Sequence, residues 1–278
     1  MNQRHVMDKY AVIGNPIEHS KSPEIHTTFA HQTGEDMEYV RLLGNLDDFE
    51  GDVRRFIAEG GQGLNVTVPF KEQAWRLADE LSPRAHTAGA VNTLIRLDNN
   101  QLRGDNTDGI GLVRDLTVNQ GFRMAGKRIL MLGAGGAVRG VMRPLLEQNP
   151  KRIIIANRTA SKAYSLANGL THLGQVAGCG FDELEGMQFD LIINGTAAGL
   201  EGKTPAIPDD ALVKGGWCYD MLYGNQDTAF QQWGHEHRAA RSLDGLGMLV
   251  EQAAESFRLW RNTLPETPPI IAKLRNAT

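Results

Sequence analysis

The chain has 278 residues, of which 41% are hydrophobic and 22% charged, and its formal net charge is -4. This length predicts one large or two ordinary globular domains, and the charge gives no electrostatic basis for binding nucleic acid or acidic membranes. The two cysteines make no disulfide framework or metal spacing, no apolar run could span a membrane, and no signal-peptide core precedes the first predicted strand, so we expect a cytoplasmic protein.

The first predicted strand, residues 10–14, leads into a loop with two serines, Ser20 and Ser22, and then into a helix over about 23–32. Residues two apart in an extended segment point the same way, and a helix N-terminus favours an anion. The pattern therefore indicates a carboxylate clamp. Its alternative is that Ser22 caps the helix and Ser20 has no role.

The next elements are strands over 37–43 and 64–68, with a helix over 47–59 between them and another over about 70–81. Thr67 and Lys71 lie at a strand-to-helix corner, where α/β folds commonly bind ligands. A cation in the first turn of a helix is electrostatically disfavoured, which suits Lys71 to proton transfer. The alternative is a surface lysine on an amphipathic helix.

Strands over 90–97 and 101–106, joined by a hairpin-like turn, carry Asn92 and end just before Asp108. Asp108 either caps the following helix or has a catalytic role. Strands and helices thus alternate through the first half of the chain, which predicts an α/β domain ahead of the glycine-rich segment that follows.

Residues 127–148 read as a buried strand, a glycine turn and a helix. Gly133 permits a tight turn, while Gly135 and Gly136 lack a Cβ, so that a diphosphate can approach their backbone N–H groups at the helix N-terminus. A plain glycine turn without a ligand is the alternative, since a lone motif of this kind is weak.

A second buried strand, 152–156, ends in Asn157, Arg158 and Thr159, with Lys162 one turn into the next helix. NAD sites usually carry an acid at this position, whereas NADP sites need cations for the 2′-phosphate. Because no acid stands here and a guanidinium pairs well with phosphate, the segment predicts NADP. Taken alone, Arg158 is also consistent with a solvated surface arginine.

The rest of the chain predicts a helix over 160–170, strands near 175–177, over 189–193 and over 217–221, and a helix over 226–237. The loop 194–199 follows a strand, where a nicotinamide would lie. A long amphipathic helix follows 245–247, with Gln252 beside its apolar stripe. The tail from residue 264 is rich in proline and weakly patterned.

Eight segments, in their order and spacing, resemble the shikimate dehydrogenase family over nearly the whole chain. They are IGNPIEHSKSP (13–23), NVTVPFK (65–71), GAVNTL (89–94), GDNTDG (104–109), GAGGA (133–137), NRT (157–159), YDMLY (219–223) and GLGMLVEQA (245–253).

The resemblance implies an α/β protein of two domains with the active site in the cleft between them. A discontinuous substrate-binding domain would comprise residues 1–107 and 245–278, and a Rossmann-type doubly wound NADP-binding domain residues 108–244. The implied activity is the reversible NADP-dependent reduction of 3-dehydroshikimate to shikimate, on the route to chorismate and the aromatic amino acids. The implied partner is this small substrate, with no metal, in a monomer or homodimer.

The resemblance also assigns roles to residues. Lys71 and Asp108 are implied as catalytic, with Lys71 between the substrate oxygen and Asp108. Hydroxyls for the ring carboxylate are implied at Ser20, Ser22, Thr67 and Tyr223, and contacts to the ring hydroxyls at Asn92, Asp108 and Gln252. The implied cofactor-binding residues are Gly133, Ala134, Gly135, Gly136, Ala137, Asn157, Arg158, Thr159, Lys162, Thr196, Met221 and Gly245.

The chain departs from the family pattern at Gly195 and Ala198, where many relatives have Ala and Ser, and from the generic glycine fingerprint at Val138. Three alternatives remain open: a quinate/shikimate dehydrogenase that uses NAD, another two-domain nicotinamide enzyme such as a methylenetetrahydrofolate dehydrogenase, and a non-catalytic NADP-sensing protein. The last would keep 133–159 without needing Lys71 beside Asp108.

Overall fold

The computed structural model describes residues 7–198 and 202–276, which contain two six-stranded sheets. The first sheet has the order β2-β1-β3-β5-β6-β4, with β1, β2 and β3 parallel and β5 antiparallel to both of its neighbours. Its strands are β1 (Asp8–Gly14), β2 (Met37–Leu43), β3 (Gly61–Val66), β4 (Glu80–Leu81), β5 (Thr93–Arg96) and β6 (Leu102–Asp105).

The helices between these strands are α1 (Ser22–Thr33), α2 (Phe49–Ala58), α3 (Lys71–Leu77) and α4 (Pro83–Ala88). We call them, together with the first sheet, the first lobe. The prediction that the helix after residue 70 reaches 81 is wrong, because residues 80–81 leave it and pair with β6. Helix α4 was not predicted, although Ser82 caps it through the N–H of Ala85 and Pro83 occupies its first position.

The second sheet is parallel throughout and has the order β12-β11-β10-β7-β8-β9. Counted from β7, this is the strand order 3-2-1-4-5-6 of a doubly wound dinucleotide fold, which confirms the predicted fold class. We call this sheet and its helices the second lobe. Its elements are β7 (Arg128–Leu132), α6 (Gly136–Leu146), β8 (Arg152–Ala156), α7 (Ala160–Leu170), β9 (Val176–Cys179), β10 (Phe189–Asn194), β11 (Leu212–Asp220), α8 (Ala229–Glu236) and β12 (Arg241–Leu243).

Two helices lie between the lobes. Helix α5 (Asp108–Arg114) continues into one π-helical turn at Asp115–Asn119, and α9 (Leu246–Arg261) packs against both α5 and α1. The close approach of α5 and α9 depends on Gly111, because a Cβ there would lie 2.7 Å from the backbone nitrogen of Gln252.

The C-terminal tail forms a further helix, α10 (Pro268–Asn276), where the sequence showed only weak patterning. Its Ile270 and Leu274 are buried in an apolar cluster with Phe29 of α1 and Phe257 of α9. Ile271 packs partly against the same cluster, so the apolar face of this helix has only three residues, too few to give a clear periodic signal.

Within residues 7–198 and 202–276, no helix is long and apolar enough to cross a membrane, and no group of metal-ligating side chains occurs. Cys179 and Cys218 are both buried and unpaired, and burial raises the pKa of the Cys218 thiol to about 12. Neither thiol is placed for nucleophilic chemistry near neutral pH.

Candidate active site

A cavity of about 380 Å³ lies at the C-terminal ends of β1 and β3, between the first lobe, α9 and the loop after β11. It contains side chains that are far apart in the chain but close in space. All eight residues for which the sequence predicted substrate contacts line this cavity: Ser20, Ser22, Thr67, Lys71, Asn92, Asp108, Tyr223 and Gln252.

Lys71 and Asp108 form an ion pair at the edge of this cavity, with 2.6 Å between Lys71 Nζ and Asp108 Oδ2. Lys71 is the first residue of α3 and Asp108 the first of α5, so two helix N-termini converge here. The alternative that Asp108 caps its helix is wrong, because Thr107 is the N-cap residue and the carboxylate is turned towards Lys71. The ammonium is thus oriented, mostly buried and close to a polar cavity, as a proton donor must be.

The amide of Asn92 is fixed by hydrogen bonds on both sides. Its Nδ2 donates to Asp108 Oδ1 at 2.8 Å and to Thr107 Oγ1 at 2.9 Å, while its Oδ1 accepts the backbone N–H of Thr107 at 2.9 Å. The second oxygen of Asp108 therefore remains for Lys71. Asn92 both lines the cavity and holds the carboxylate in place.

Behind Asn92 lies a buried polar cluster that the sequence analysis missed. Ser256 of α9 accepts a hydrogen bond from Asn65 Nδ2 at 3.0 Å, and its Oγ lies 2.8 Å from Thr93 Oγ1. Asn65 Oδ1 in turn accepts the hydroxyl of Tyr39 at 2.7 Å. A usable signal was present, because Asn65 is two residues before Thr67 on the same strand face and Ser256 is one helical turn after Gln252.

Ser20 and Ser22 are not arranged as the alternative prediction, in which Ser22 caps helix α1, requires. Helix α1 begins at Ser22 itself, its N-cap residue Lys21 makes no side-chain cap, and Ser20 Oγ accepts the N–H of Ser22 at 3.3 Å. Ser22 therefore does not cap the helix, and both hydroxyls lie by its positive end. Tyr223, on the loop after β11, faces the same cavity, and burial raises the pKa of its hydroxyl.

The glycine turn after β7 has the free space that a diphosphate needs. Gly133 has a φ of +103°, which favours glycine, and a Cβ on Gly135 would meet no atom within 4 Å. A Cβ on Gly136 would come no closer than 3.8 Å to its nearest neighbour, Arg139 Nη2. This open cradle at the N-terminus of α6 fits a dinucleotide.

A second cavity, of about 890 Å³, extends from this turn, and Ala134, Gly135, Gly136 and Lys162 line it. The segment Asn157–Arg158–Thr159 lies beside the turn, since Gly133 N–H donates to the carbonyl of Ala156 at 2.8 Å. Arg158 is exposed, and no acid follows β8. The strand end therefore offers cationic and polar groups, which fit a 2′-phosphate.

The remaining predicted cofactor residues are Thr196, Met221, Gly245 and Ala137. Thr196 donates through its N–H and hydroxyl to Asn194 Oδ1, which holds its loop against Gly133. Met221 and Gly245 line the smaller cavity. Ala137 is the second residue of α6, directly after the turn, and Gly199 lies outside the described residues.

The departures at Gly195 and Val138 compensate for each other. Val138 is fully buried, and a Cβ on Gly195 would lie 2.5 Å from Val138 Cγ2. The bulkier side chain on the helix is thus accommodated by the missing one on the loop.

Three family models match the chain. They describe the shikimate dehydrogenase substrate binding domain over residues 12–94, shikimate/quinate 5-dehydrogenase over 116–206, and the shikimate 5′-dehydrogenase C-terminal domain over 245–275. A curated shikimate dehydrogenase (NADP(+)) of Alkalilimnicola ehrlichii is 58% identical over 96% of this chain and 98% of its own length.

Solved structures of similar fold cover nearly the whole chain. An Ael1 enzyme from Pseudomonas putida superposes with a TM-score of 0.90 at 43% identity, covering 96% of this chain and 98% of that one. Shikimate 5-dehydrogenase from Thermus thermophilus, in complex with NADP(H) and shikimate, gives 0.86 at 30% identity, covering 98% and 100%. By its cavity, its glycine turn, its three family matches and these identities, the chain belongs to the shikimate dehydrogenase family.

Proposed function

We propose that this chain catalyses the reversible, NADP-dependent reduction of 3-dehydroshikimate to shikimate, on the route to chorismate and the aromatic amino acids. The observation that carries the proposal is the Lys71–Asp108 ion pair at a cavity that Met221 and Tyr223, from the loop after β11 of the second lobe, also line. An NADP-sensing protein would need the glycine turn after β7 and the polar end of β8, but not an oriented ammonium beside the 380 Å³ cavity.

The substrate carboxylate is held at the N-terminus of α1. Ser20, Ser22, Thr67 and Tyr223 supply neutral hydroxyl donors there, and the helix end adds a partial positive charge. The Tyr223 hydroxyl is protonated at neutral pH and able to donate, because a tyrosine hydroxyl ordinarily titrates at about pH 10. Recognition of the anion therefore needs no arginine in the cavity.

Asn92, Asp108 and Gln252 hold the ring hydroxyls from the opposite side, where the buried cluster around Ser256 fixes the amide of Asn92. NADPH, when bound, supplies the hydride. Lys71 provides the proton for the developing alkoxide and stabilises its charge, while Asp108 keeps the ammonium aimed at that oxygen. In the oxidative direction the same lysine accepts the proton.

The cofactor is held by the second lobe. Backbone N–H groups of Gly133–Ala137 would hold the diphosphate, and Asn157, Arg158, Thr159 and Lys162 would hold the 2′-phosphate. The nicotinamide ring of the cofactor would lie beside Thr196, Met221 and Gly245. We further propose a substrate domain of 1–107 with 245–278 and a cofactor domain of 108–244, in a cytoplasmic monomer or homodimer.

A steady-state assay of NADPH or NADH absorbance tests the function, with shikimate or quinate as substrate and NADP or NAD as cofactor. The highest kcat/KM is expected for shikimate with NADP. Higher kcat/KM with quinate and NAD would instead support the quinate/shikimate dehydrogenase reading. Binding of NADP without turnover of either substrate would contradict the enzymatic proposal.

A further inference from the structure

An ion pair joins the two lobes directly beside the catalytic lysine. Arg139 Nη2 of α6 in the second lobe contacts Glu72 Oε1 of α3 in the first lobe. Glu72 is the residue after Lys71. An ion pair to its carboxylate therefore helps to fix the position of the first turn of α3, which carries the ammonium. Both members of the pair line the 890 Å³ cavity next to the glycine turn.

The same guanidinium lies close to the expected diphosphate. Arg139 Nη2 is 3.8 Å from where a Cβ on Gly136 would stand, which is the space that the turn leaves open. Arg139 Nε is buried and has no hydrogen-bond partner among the described residues. A guanidinium has five N–H donors, and a buried donor without an acceptor is costly, so this group can gain from further anionic oxygens.

We propose that Arg139 is a positioning residue that holds Glu72 and a diphosphate oxygen of NADP with one guanidinium. This proposal rests on the proposed function, which supplies the cofactor and the substrate. Bound cofactor would stabilise the arrangement in which the lobes are joined beside Lys71, and that arrangement completes the substrate cavity. NADP and shikimate should therefore each tighten the binding of the other by the same factor.

Isothermal titration calorimetry measures this factor as the Kd of shikimate without NADP divided by its Kd with saturating NADP. We expect a ratio clearly above 1 for the wild-type protein. Glu72→Gln and Arg139→Gln should both bring the ratio close to 1. The matched control is Arg76→Gln, since Arg76 lies 3.9 Å from the other oxygen of Glu72 but within the same helix. This variant should keep the wild-type ratio.

A second titration separates the two halves of the proposed contact. Arg139→Gln should raise the Kd of NADP about tenfold or more, the scale of a hydrogen bond to a charged group, and leave the Kd of 2′-AMP, which lacks the diphosphate, unchanged. Glu72→Gln should change neither Kd more than about twofold when shikimate is absent, because an exposed ion pair contributes little by itself.

A wild-type ratio of 1, an unchanged ratio in Glu72→Gln, or equal losses for NADP and 2′-AMP in Arg139→Gln would overturn the inference. Failure of the proposed function would give a different result, because the wild-type protein would then bind no shikimate at all. Because these variants replace exposed or half-exposed charges by amides, melting temperatures close to that of the wild type should accompany them.

Discussion

Lys71 is held by one partner from a different helix. Its Nζ lies 2.6 Å from Asp108 Oδ2, and Asn92 occupies the other carboxylate oxygen, so the ammonium has a single fixed direction. Such pre-orientation is what makes a proton donor effective, because the group need not reorganise during the reaction.

Lys71→Ala is expected to lower kcat by about 100-fold or more, the usual effect of removing a general acid. Steady-state turnover of shikimate with NADP measures it. Lys151→Ala, which removes an exposed lysine, serves as the control and should leave kcat unchanged. Near-normal turnover of the Lys71 variant would exclude the assigned role.

Arg158→Ala is expected to weaken NADP binding by about 1.5–3 kcal/mol, the contribution of a hydrogen bond to a charged group, with little effect on NAD. Arg152 lies at the opposite end of the same strand and is also exposed, so Arg152→Ala is a matched control. Titration of each variant with both cofactors is the measurement, and equal losses for NADP and NAD would refute the 2′-phosphate contact.

His26 makes stability depend on pH in the acid range. It is fully buried and stacked on Tyr39 with 4.2 Å between ring centroids, and burial lowers its pKa from 6.5 to about 3. Between these values the unfolded chain binds a proton that the folded chain does not. Stability should therefore fall as pH falls, by about 1.4 kcal/mol per unit from this residue.

Urea denaturation at a series of pH values tests this slope. His26→Leu should give a shallower fall in the free energy of unfolding below pH 6.5, whereas His172→Leu, which removes an exposed histidine, should keep the wild-type slope. A His26 variant with an unchanged slope would show that other groups account for the acid sensitivity.

Single site residues were predictable where they lie in segments whose sequence and spacing resemble a known family. Ser20 and Lys71 could be singled out by their places after a strand and at a strand-to-helix corner, whereas the roles of Asn92 and Asp108 were implied by the resemblance of their segments to the family. Arg139 could not be placed, since an arginine in a helix has no distinctive pattern, and the only signal for Ser256 was its spacing of one helical turn from Gln252. Their roles arise only when α9 and α6 are packed against the first lobe.

The crossing of α5 and α9 is set by a glycine rather than by a complementary pair of large side chains. A Cβ on Gly111 would approach Met248 O and Gln252 N to 2.7 Å, and neither is the flexible end of a side chain. Because Asp108 begins α5 and Gln252 lies on α9, this crossing also fixes the distance between two residues of the cavity.

Gly111→Ala is expected to lower the free energy of unfolding by about 1–3 kcal/mol, as for an overpacked core position. Gly169 is an exposed glycine near the end of α7, where an added Cβ meets nothing within 4 Å. Gly169→Ala should instead stabilise by about 0.5–1 kcal/mol, the gain in helix propensity. Denaturant midpoints distinguish the two, and a neutral Gly111 variant would show that the helices can separate without cost.

Elements with long apolar runs were predictable, and short ones were not. β2, β8 and α7 have the predicted bounds, because each has a clear pattern: alternating exposure in β2, a buried apolar run in β8 and helical spacing of apolar residues in α7. β4 and β12 have two and three residues and are held by pairing with distant strands. Such pairing is a property of the tertiary structure that local sequence does not encode.

At the scale of the whole molecule, the helices between the lobes are joined by a buried ionic cluster. Glu255 of α9 contacts Arg84 of α4, Arg114 of α5 and Arg258 of its own helix. Burial alone would raise the pKa of Glu255, but hydrogen bonds from Arg258 and the charge of Arg84 lower it below its ordinary value. The carboxylate thus balances the charges of Arg114 and Arg258, and it shares Arg84 with Asp105.

Glu255→Gln is expected to destabilise the protein by about 1–3 kcal/mol, because Arg114 and Arg258 lose their carboxylate partner while Arg84 keeps Asp105. Thermal or denaturant unfolding measures the loss, and Glu236→Gln at an exposed position is the control. The contribution is present at neutral pH and disappears as pH falls through the lowered pKa, so the two proteins should converge in stability in acid. Equal stability at neutral pH would contradict this role.

The packing of α1 against α9 has a consequence for synthesis. Ile25 and Phe29 leave the ribosome early, yet Val250 and Phe257, which cover them, follow only after all of residues 34–245. A nascent chain therefore exposes this apolar face throughout translation of the entire second sheet, and we expect the first half to be prone to aggregation until α9 has been synthesised.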